Sequence, residues 1–485
     1  MQNCLRVPFL LAACLLSSTY AEAQWSNASL SAPRQDLQSA TAGGLTFFAG
    51  GRVGGLVSDV VDIYDPVTNS WTAINMPIAR TSFAMTTLGD LVFFIGGAQS
   101  ATTSTDRVDI LDATDLTWQL AHLTEARSAL SATSVAGKVI IAGGATGTLF
   151  APVPSDVVDI YDSAQGLPTN PAAWSTWTLT AARGALGATS VGQEALIAGG
   201  IGLGNAASDL VDIYDAVAGT WSIAHLSEAR TLSRSAALSV DGKAYFAGGQ
   251  VTPGVGSDRV DIYDSATGTW SSVSLIEPRW AIAGATQGNT AYFAGGFTSA
   301  GVSSLVESYN SGTQTWAPAL AMPTARGECA AATTGGSLLC AGGIANAGVA
   351  ASVDVYTPVG VNFCVAETNS TGGAATITVS GSQSLAANDL TLTTTGVPNK
   401  PFLYFHGPNQ QQVPFGDGFL CAGGALIRIV PPGVAVGGVA TRTVDLPSAG
   451  ISSVGDRNFQ CWFRDPAAGG AGFNTSDAAT VTFVP

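Results

Sequence analysis

Basic residues are the first shortage in this sequence. Lysine and arginine together number 19 against 34 aspartates and glutamates, for a net charge of −15. A phosphate backbone has to be met by clusters of Lys and Arg, and none is present, so nucleic acid is excluded as a partner. Acidity of this kind keeps a protein in solution and says little about what it binds. Histidine is scarcer still, at 3 residues. Neither an HExxH pair nor a GxSxG element occurs, which removes the usual marks of a zinc or a serine hydrolase. Beyond the N-terminus no stretch of about 18 uncharged apolar residues appears, so no transmembrane span is expected. Charged residues make up only 11% of the chain, yet glycine reaches 58 and no polar low-complexity tract interrupts it. That is the composition of a packed protein, and 485 residues leave room for two or three domains.

The N-terminus reads as a secretory signal over 1–23. Arg6 supplies a positive start, Val7 to Leu16 an apolar stretch, and Ala21-Glu22-Ala23 an A-x-A cleavage site before Gln24. Leu11-Ala12-Ala13-Cys14 also fits a bacterial lipobox, which makes a lipoprotein anchored at Cys14 the competing reading. Only a short apolar run precedes that cysteine, and Leu15-Leu16 continue it. Secretion, to the medium or the cell surface, is the expectation. Of 7 cysteines, Cys4 and Cys14 fall in the signal. Cys329, Cys340, Cys364, Cys421 and Cys461 remain, an odd number, so at least one thiol is unpaired or intermolecular. The exported context permits disulfides.

What the chain has in place of these things is a period. Gly-Gly pairs begin at Gly50, Gly96, Gly143, Gly199, Gly248, Gly295 and Gly342, spaced 46 to 56 apart. An apolar run such as LVFFIGG or KAYFAGG leads into each pair, and an alternating strand follows around Tyr64, Leu111, Tyr161, Tyr214, Tyr263, Tyr309 and Tyr356. Seven residues on from five of these stand Trp71, Trp118, Trp221, Trp270 and Trp316, and in the third unit Trp174 keeps the onward spacing to Arg183. Arg34, Arg80, Arg127, Arg183, Arg279 and Arg326 each precede their Gly-Gly by 16 residues, and Arg230 precedes Gly248 by 18. Each unit therefore holds four antiparallel strands. Such a sheet cannot bury both faces alone and must stack on its neighbours.

Hydrophobic run, Gly-Gly, spaced Tyr and spaced Trp resemble kelch repeats, over roughly residues 24 to 357. The resemblance implies an all-β fold, a seven-bladed kelch-type β-propeller over 24–358. The seventh unit has its Gly342-Gly343 and Tyr356 but no Trp strand, whereas Trp25 stands nine residues before Arg34 with no earlier strands. The N-terminal strand is therefore expected to close the last blade, with Phe363 the competitor for that slot.

Seven Arg residues and seven Gly-rich loops should share one face. A cationic ring there could hold an acidic sugar or a carboxylate peptide. Each unit also carries one acid: Asp62, Asp109, Asp159, Asp212, Asp261, Glu307 and Asp354. Seven acids to seven arginines reads better as a structural ring of ion pairs tying blades together. Asp65, Asp112, Asp162, Asp215 and Asp264 read as caps of the following turn. Asp59, Asp62 and Asp65 invite a calcium reading, but strand alternation puts Asp62 and Asp65 on opposite faces and no EF-hand spacing occurs. Copper radical oxidases are known on kelch propellers, but they need histidine ligands and a Cys-linked Tyr. Here His122 and His225 fall at equivalent places after the blade Trp, and no cysteine precedes Cys329 in the mature chain. No metal and no cofactor is expected. Cys329 and Cys340 lie on the two strands of one hairpin, and a disulfide between them is expected, with two buried thiols as the alternative.

After Pro358 the period ends. TITVSGS, NDLTLTTTG, PFLYFHG and ATVTFVP read as short strands of a β-sandwich-like domain over 359–485. Phe363-Cys364, Val413-Pro414-Phe415-Gly416, Gly418-Phe419-Leu420-Cys421 and Phe459-Gln460 with Trp462-Phe463-Arg464-Asp465-Pro466 resemble a C-terminal module on exported proteins of environmental bacteria, one with no assigned activity. Which of Cys364, Cys421 and Cys461 pair stays open. His406 reads as structural, and Arg464-Asp465 as a turn fixed by an ion pair.

No nucleophile–base–acid set rises above the repeat background, so no catalytic residue is named. Residues outside the repeat pattern are where a site should show: Arg52, Arg234, Trp280 and Phe297, on or near the loop-rich face. The expectation is a monomeric, non-catalytic secreted binding protein that recognises a glycan or a protein through its loops. The alternative is a carbohydrate-active enzyme, mutarotase- or epimerase-like, at the channel mouth.

Overall fold

The computed structural model describes residues 25–148, 151–233, 236–311, 314–316, 320–468 and 470–483. The expected signal over 1–23, Cys14 included, lies outside the described residues. Among those described no α-helix occurs, and no helix is long and apolar enough to cross a membrane.

The first repeat shows how local chemistry builds the unit. Gln38–Ala42 and Leu45–Ala49 are joined through Gly43 and Gly44, both at positive φ, as a two-residue hairpin turn requires. Leu45–Ala49 is apolar on both faces, and Phe47, Phe48 and Ala49 are wholly buried because the sheet is covered on both sides. Val60–Asp65 pairs on its other edge, and Ser70–Asn75 closes the sheet with Trp71 opposite Tyr64, ring centroids 5.0 Å apart. Asp65 accepts hydrogen bonds from the Val67 and Thr68 amides and so holds the intervening turn. Asp112, Asp162, Asp215 and Asp264 do the same in their units.

This order recurs in sheets whose first strands are Ala84–Leu88, Ser131–Val135, Gly187–Val191, Ala237–Val240, Ala283–Gln287 and Ala330–Thr334. In the last of them Trp25–Ser29 supplies the fourth strand, pairing Trp25 with Tyr356. Phe363 is elsewhere, in a strand paired with Phe473–Phe483. First strands of successive sheets touch one another, and that of the last touches that of the first. Cores lie between sheets: Phe47 and Val61 of the first pack with Phe94 and Leu111 of the second. An all-strand chain built this way fits a β-propeller.

The segment after Pro358 has its own core. A five-stranded sheet (Val361–Phe363, Phe473–Phe483, Gly455–Arg464, Pro401–Gly407, Ile427–Val434) and a three-stranded sheet (Thr376–Ser380, Thr391–Thr395, Val439–Thr443) share a cluster that includes Ile377, Leu392, Phe459 and Phe463. Cys364 and Cys421 form a disulfide with Cα atoms 6.1 Å apart, and Cys461 is a free, buried thiol.

The bridge expected between Cys329 and Cys340 is not formed; both are free and buried. The hairpin turns on Gly335-Gly336, which sets Thr334 opposite Ser337 and therefore Ala331 opposite Cys340. Cys329 is displaced by two residues from the position a cross-strand bridge needs. Burial pushes its thiol up to about 11.

Two outcomes follow for the C-terminal segment. Cross-linking residues 57 apart in sequence stabilises by about 4 kcal/mol on the chain-entropy argument, so Cys364→Ser with Cys421→Ser should lower its chemical-denaturation midpoint accordingly. Asp477 accepts from the Ile377 amide (2.6 Å) and Asn362 Nδ2 (2.7 Å), while burial pushes its carboxyl up to about 7. A folded value above the unfolded one gives stability that is full below about pH 4 and is lost as pH rises toward 7. Relative to Asp477→Asn, the native protein should therefore lose melting temperature between pH 5 and pH 8. Buried His406, held below its usual value, contributes with the opposite sign, losing stability as pH falls, and cancels in that comparison.

Candidate functional site

Every ring arginine is at most 1% exposed. Each sits in the crossover that enters its sheet, and its guanidinium reaches the acid on that sheet's third strand: Arg34 to Asp62, Arg80 to Asp109, Arg127 to Asp159, Arg183 to Asp212, Arg230 to Asp261 at 2.6 Å, Arg279 to Glu307, and Arg326 to Asp354 at 2.8 Å. Other guanidinium donors go to backbone carbonyls, although Nε of Arg34, Arg80, Arg127, Arg183 and Arg279 is buried without a hydrogen-bond partner. Arg127 Nη1, for example, donates to the Gly143 and Val157 carbonyls at 2.7 and 2.6 Å. In six units the acid also takes a backbone N–H from the incoming crossover, such as Thr124 onto Asp159 and Ser227 onto Asp261, both at 3.1 Å, whereas Asp109 takes the Arg107 guanidinium at 2.6 Å. Six of the seven pairs therefore clasp the connection from the preceding sheet. Burial lowers the Arg80 guanidinium to about 10 despite the pull of Asp109.

The Gly-Gly pair completes the joint. Its second N–H donates to the carbonyl of the next unit's arginine, from Gly51 to Arg80 (3.0 Å) through to Gly343 onto Arg34 (2.8 Å). Both glycines have positive φ, and a Cβ on Gly51 would stand 2.4 Å from the Gln35 carbonyl oxygen.

Inside the ring, residues on and just before all seven first strands line a cavity of about 280 Å³, among them Asp36, Met85, Ser131, Gly187, Gly284 and Glu328. Asp36 and Glu328 hold the position two residues after the ring arginine, a left-handed backbone position that Ser82, Ala129, Ala185 and Ala281 occupy in other units. Asp36 accepts from Thr81 Oγ1 (2.5 Å) and Ser82 Oγ (3.1 Å), and Glu328 from Gln35 Nε2 (3.0 Å). Arg52 lies 3.9 Å from each carboxylate. Sequence reasoning named Arg52 but missed Asp36 and Glu328. Aligning the repeats on the residue two after each arginine would have found them, because three units carry alanine there.

Trp280 and Phe297 are brought together as a stacked pair, centroids 5.8 Å apart, with Phe297 against Gly327. They occupy the repeat register that pairs Gln35 with Arg52 in the first unit, so these named residues fall on loops of different sheets. Arg234 lies outside the described residues. His122 and His225 are exposed and each is 3.0 Å from an aspartate, Asp106 and Asp209. Among the described residues no group of three or more His, Cys, Asp or Glu is arranged to hold a metal ion.

A family model for the kelch motif matches residues 33–75 and 231–274. With the all-strand architecture, this supports a kelch-repeat protein, and such repeats suggest a protein-binding propeller. No curated protein matches the chain.

Removing one member of a buried pair strands the other charge in the interior. Arg127→Ala, which leaves Asp159 uncompensated, should destabilise by about 3–5 kcal/mol in denaturant titration. An unchanged midpoint would show that the arginines do not clasp the crossovers.

Proposed function

We propose that residues 24–358 form a seven-bladed β-propeller closed by its N-terminal strand, that 359–485 form a separate β-sandwich-like module, and that the exported protein binds a protein partner through the loops after the Gly-Gly pairs. The observation that carries this reading is where the propeller segment leaves apolar side chains in water. Leu56 is 75% and Leu203 74% exposed on two of those loops, with Val153 and Val255 exposed on two others, and half-buried Phe297 on a further one stacks on Trp280 of the adjoining crossover. Apolar side chains exposed on neighbouring loops suit an association surface, although others, Val67 and Ile276 among them, stand exposed elsewhere on the segment. The ring arginines and their acids are structural in this reading, being consumed by one another. Arg52, Arg234, Trp280 and Phe297 are proposed ligand contacts. The Cys364–Cys421 bridge supports an oxidising compartment, and so export.

A second reading, a carbohydrate-active site at the channel mouth, draws support from the grouping of Arg52 with Asp36 and Glu328. It ranks below the first because each carboxylate already accepts hydrogen bonds from neighbouring side chains.

Arrays of peptides and of glycans probed with the full-length protein separate the two. The double variant Leu56→Ser, Leu203→Ser should weaken peptide binding about tenfold without moving the melting temperature. Saturable turnover of a sugar, lost on Arg52→Ala, would replace the binding reading.

A further inference from the structure

At the outer edge of each inter-sheet core, one residue of a fourth strand meets the tryptophan of the next sheet. That residue always stands opposite a valine of the third strand: Ile74 opposite Val61, Ala121 opposite Val108, Ala224 opposite Val211, Val273 opposite Val260, Leu320 opposite Val306 and Ala28 opposite Val353. Their neighbours in the shared clusters are Trp118, Trp174, Trp270, Trp316, Trp25 and Trp71. Small aliphatic side chains therefore suffice to seal six of the seven joints. The third sheet breaks the rule. Trp177 stands opposite Val158, is 51% exposed, and lies beside Trp221 with centroids 6.4 Å apart and ring planes within 9°.

Packing does not call for an indole here, and half of this one is left in water. We propose that Trp177 and Trp221 form a platform on the propeller's rim that binds a saccharide by stacking on the C–H face of a hexopyranose ring. The indole faces carry negative potential and attract the polarised C–H groups of a sugar's apolar face. Among the exposed neighbours, strand alternation puts Ser175 on the face of Trp177 and Ile223, 56% exposed, on the face of Trp221, so a hydroxyl and an aliphatic side chain flank the two indoles. None of these carries a charge, which suits a neutral glycan. Near-parallel rings present flat aromatic faces in one orientation, whereas a proline-rich peptide docks in an aromatic-lined groove. The platform lies on the fourth strands, away from the Gly-Gly loops proposed to hold a protein, so the two sites can be tested apart.

Intrinsic tryptophan fluorescence of the full-length protein, titrated with cellohexaose, chitohexaose and maltohexaose, provides the test. At least one hexasaccharide should shift the emission saturably. Trp177→Ile copies the residue of the first sheet at this place; it should weaken binding about tenfold or more while keeping the melting temperature. Trp177→Phe, which retains a ring, should keep most of the affinity, and Leu56→Ser with Leu203→Ser should leave it intact. Failure of all three sugars, binding indifferent to both Trp177 variants, or a response to decaproline in their place would overturn the proposal.

Discussion

A guanidinium fully removed from water needs its counter-charge inside the protein, and all seven here find it in a carboxylate on the third strand of their own sheet. Each ring arginine gives one arm to a carboxylate and donates to backbone carbonyls, while in six of the seven units the carboxylate grips an amide of the incoming crossover. The gain over a pair of apolar residues is small, since desolvation consumes most of the Coulomb attraction. What the pair supplies is register. It leaves one place at which the connection from a preceding sheet can dock, and the rest of the fold is arranged around that docking.

Glycine makes the same joint possible from the other side. Because Gly50 has no side chain, the loop after the second strand can lie against the neighbouring crossover, and the Gly51 N–H can donate to its arginine carbonyl. Repeating that bond from Gly51 to Arg80 through to Gly343 and Arg34 carries one local geometry around all seven sheets. Once crossover and Gly-Gly pair are held, the residues beyond the glycines are relieved of structural duty. They differ in length and character, from the Arg52–Val53 and Leu56–Val57 hairpin to the longer Ala145–Thr148 and Ala151–Pro154 one.

Function in a repeat protein is best sought where the repeat fails. Asp36 and Glu328 replace alanine at the mouth of the central cavity, Trp280 and Phe297 replace smaller pairs on a loop, and Trp177 replaces an aliphatic residue at the rim. These substitutions fall on separate surfaces, which favours a protein that makes several contacts over one built around a single reactive centre. Buried polar groups of the C-terminal segment, Asp477 above all, join strands that are distant in sequence and serve its internal order.

The strand order of the unit, the pairing of each arginine with an acid and the turn-capping aspartates were legible in the sequence, since all depend on spacings shorter than one repeat. The cysteines were not. Whether Cys329 faces Cys340 depends on which two residues make a turn, and the choice of Gly335-Gly336 shifts the register enough to part them. Cys364 and Cys421 meet only because the residue after the Val361–Phe363 strand comes against the Gly418–Gly423 strand, 57 residues away in sequence. The grouping of Arg52 with Asp36 and Glu328 likewise joins the first unit to the last, 276 residues away along the chain from Arg52 to Glu328. Periodicity by itself determined what each unit must be, because steric and hydrogen-bond rules act over a few residues. Only the tertiary structure decided which residues of different units meet, because that is set by how the sheets pack around a common centre.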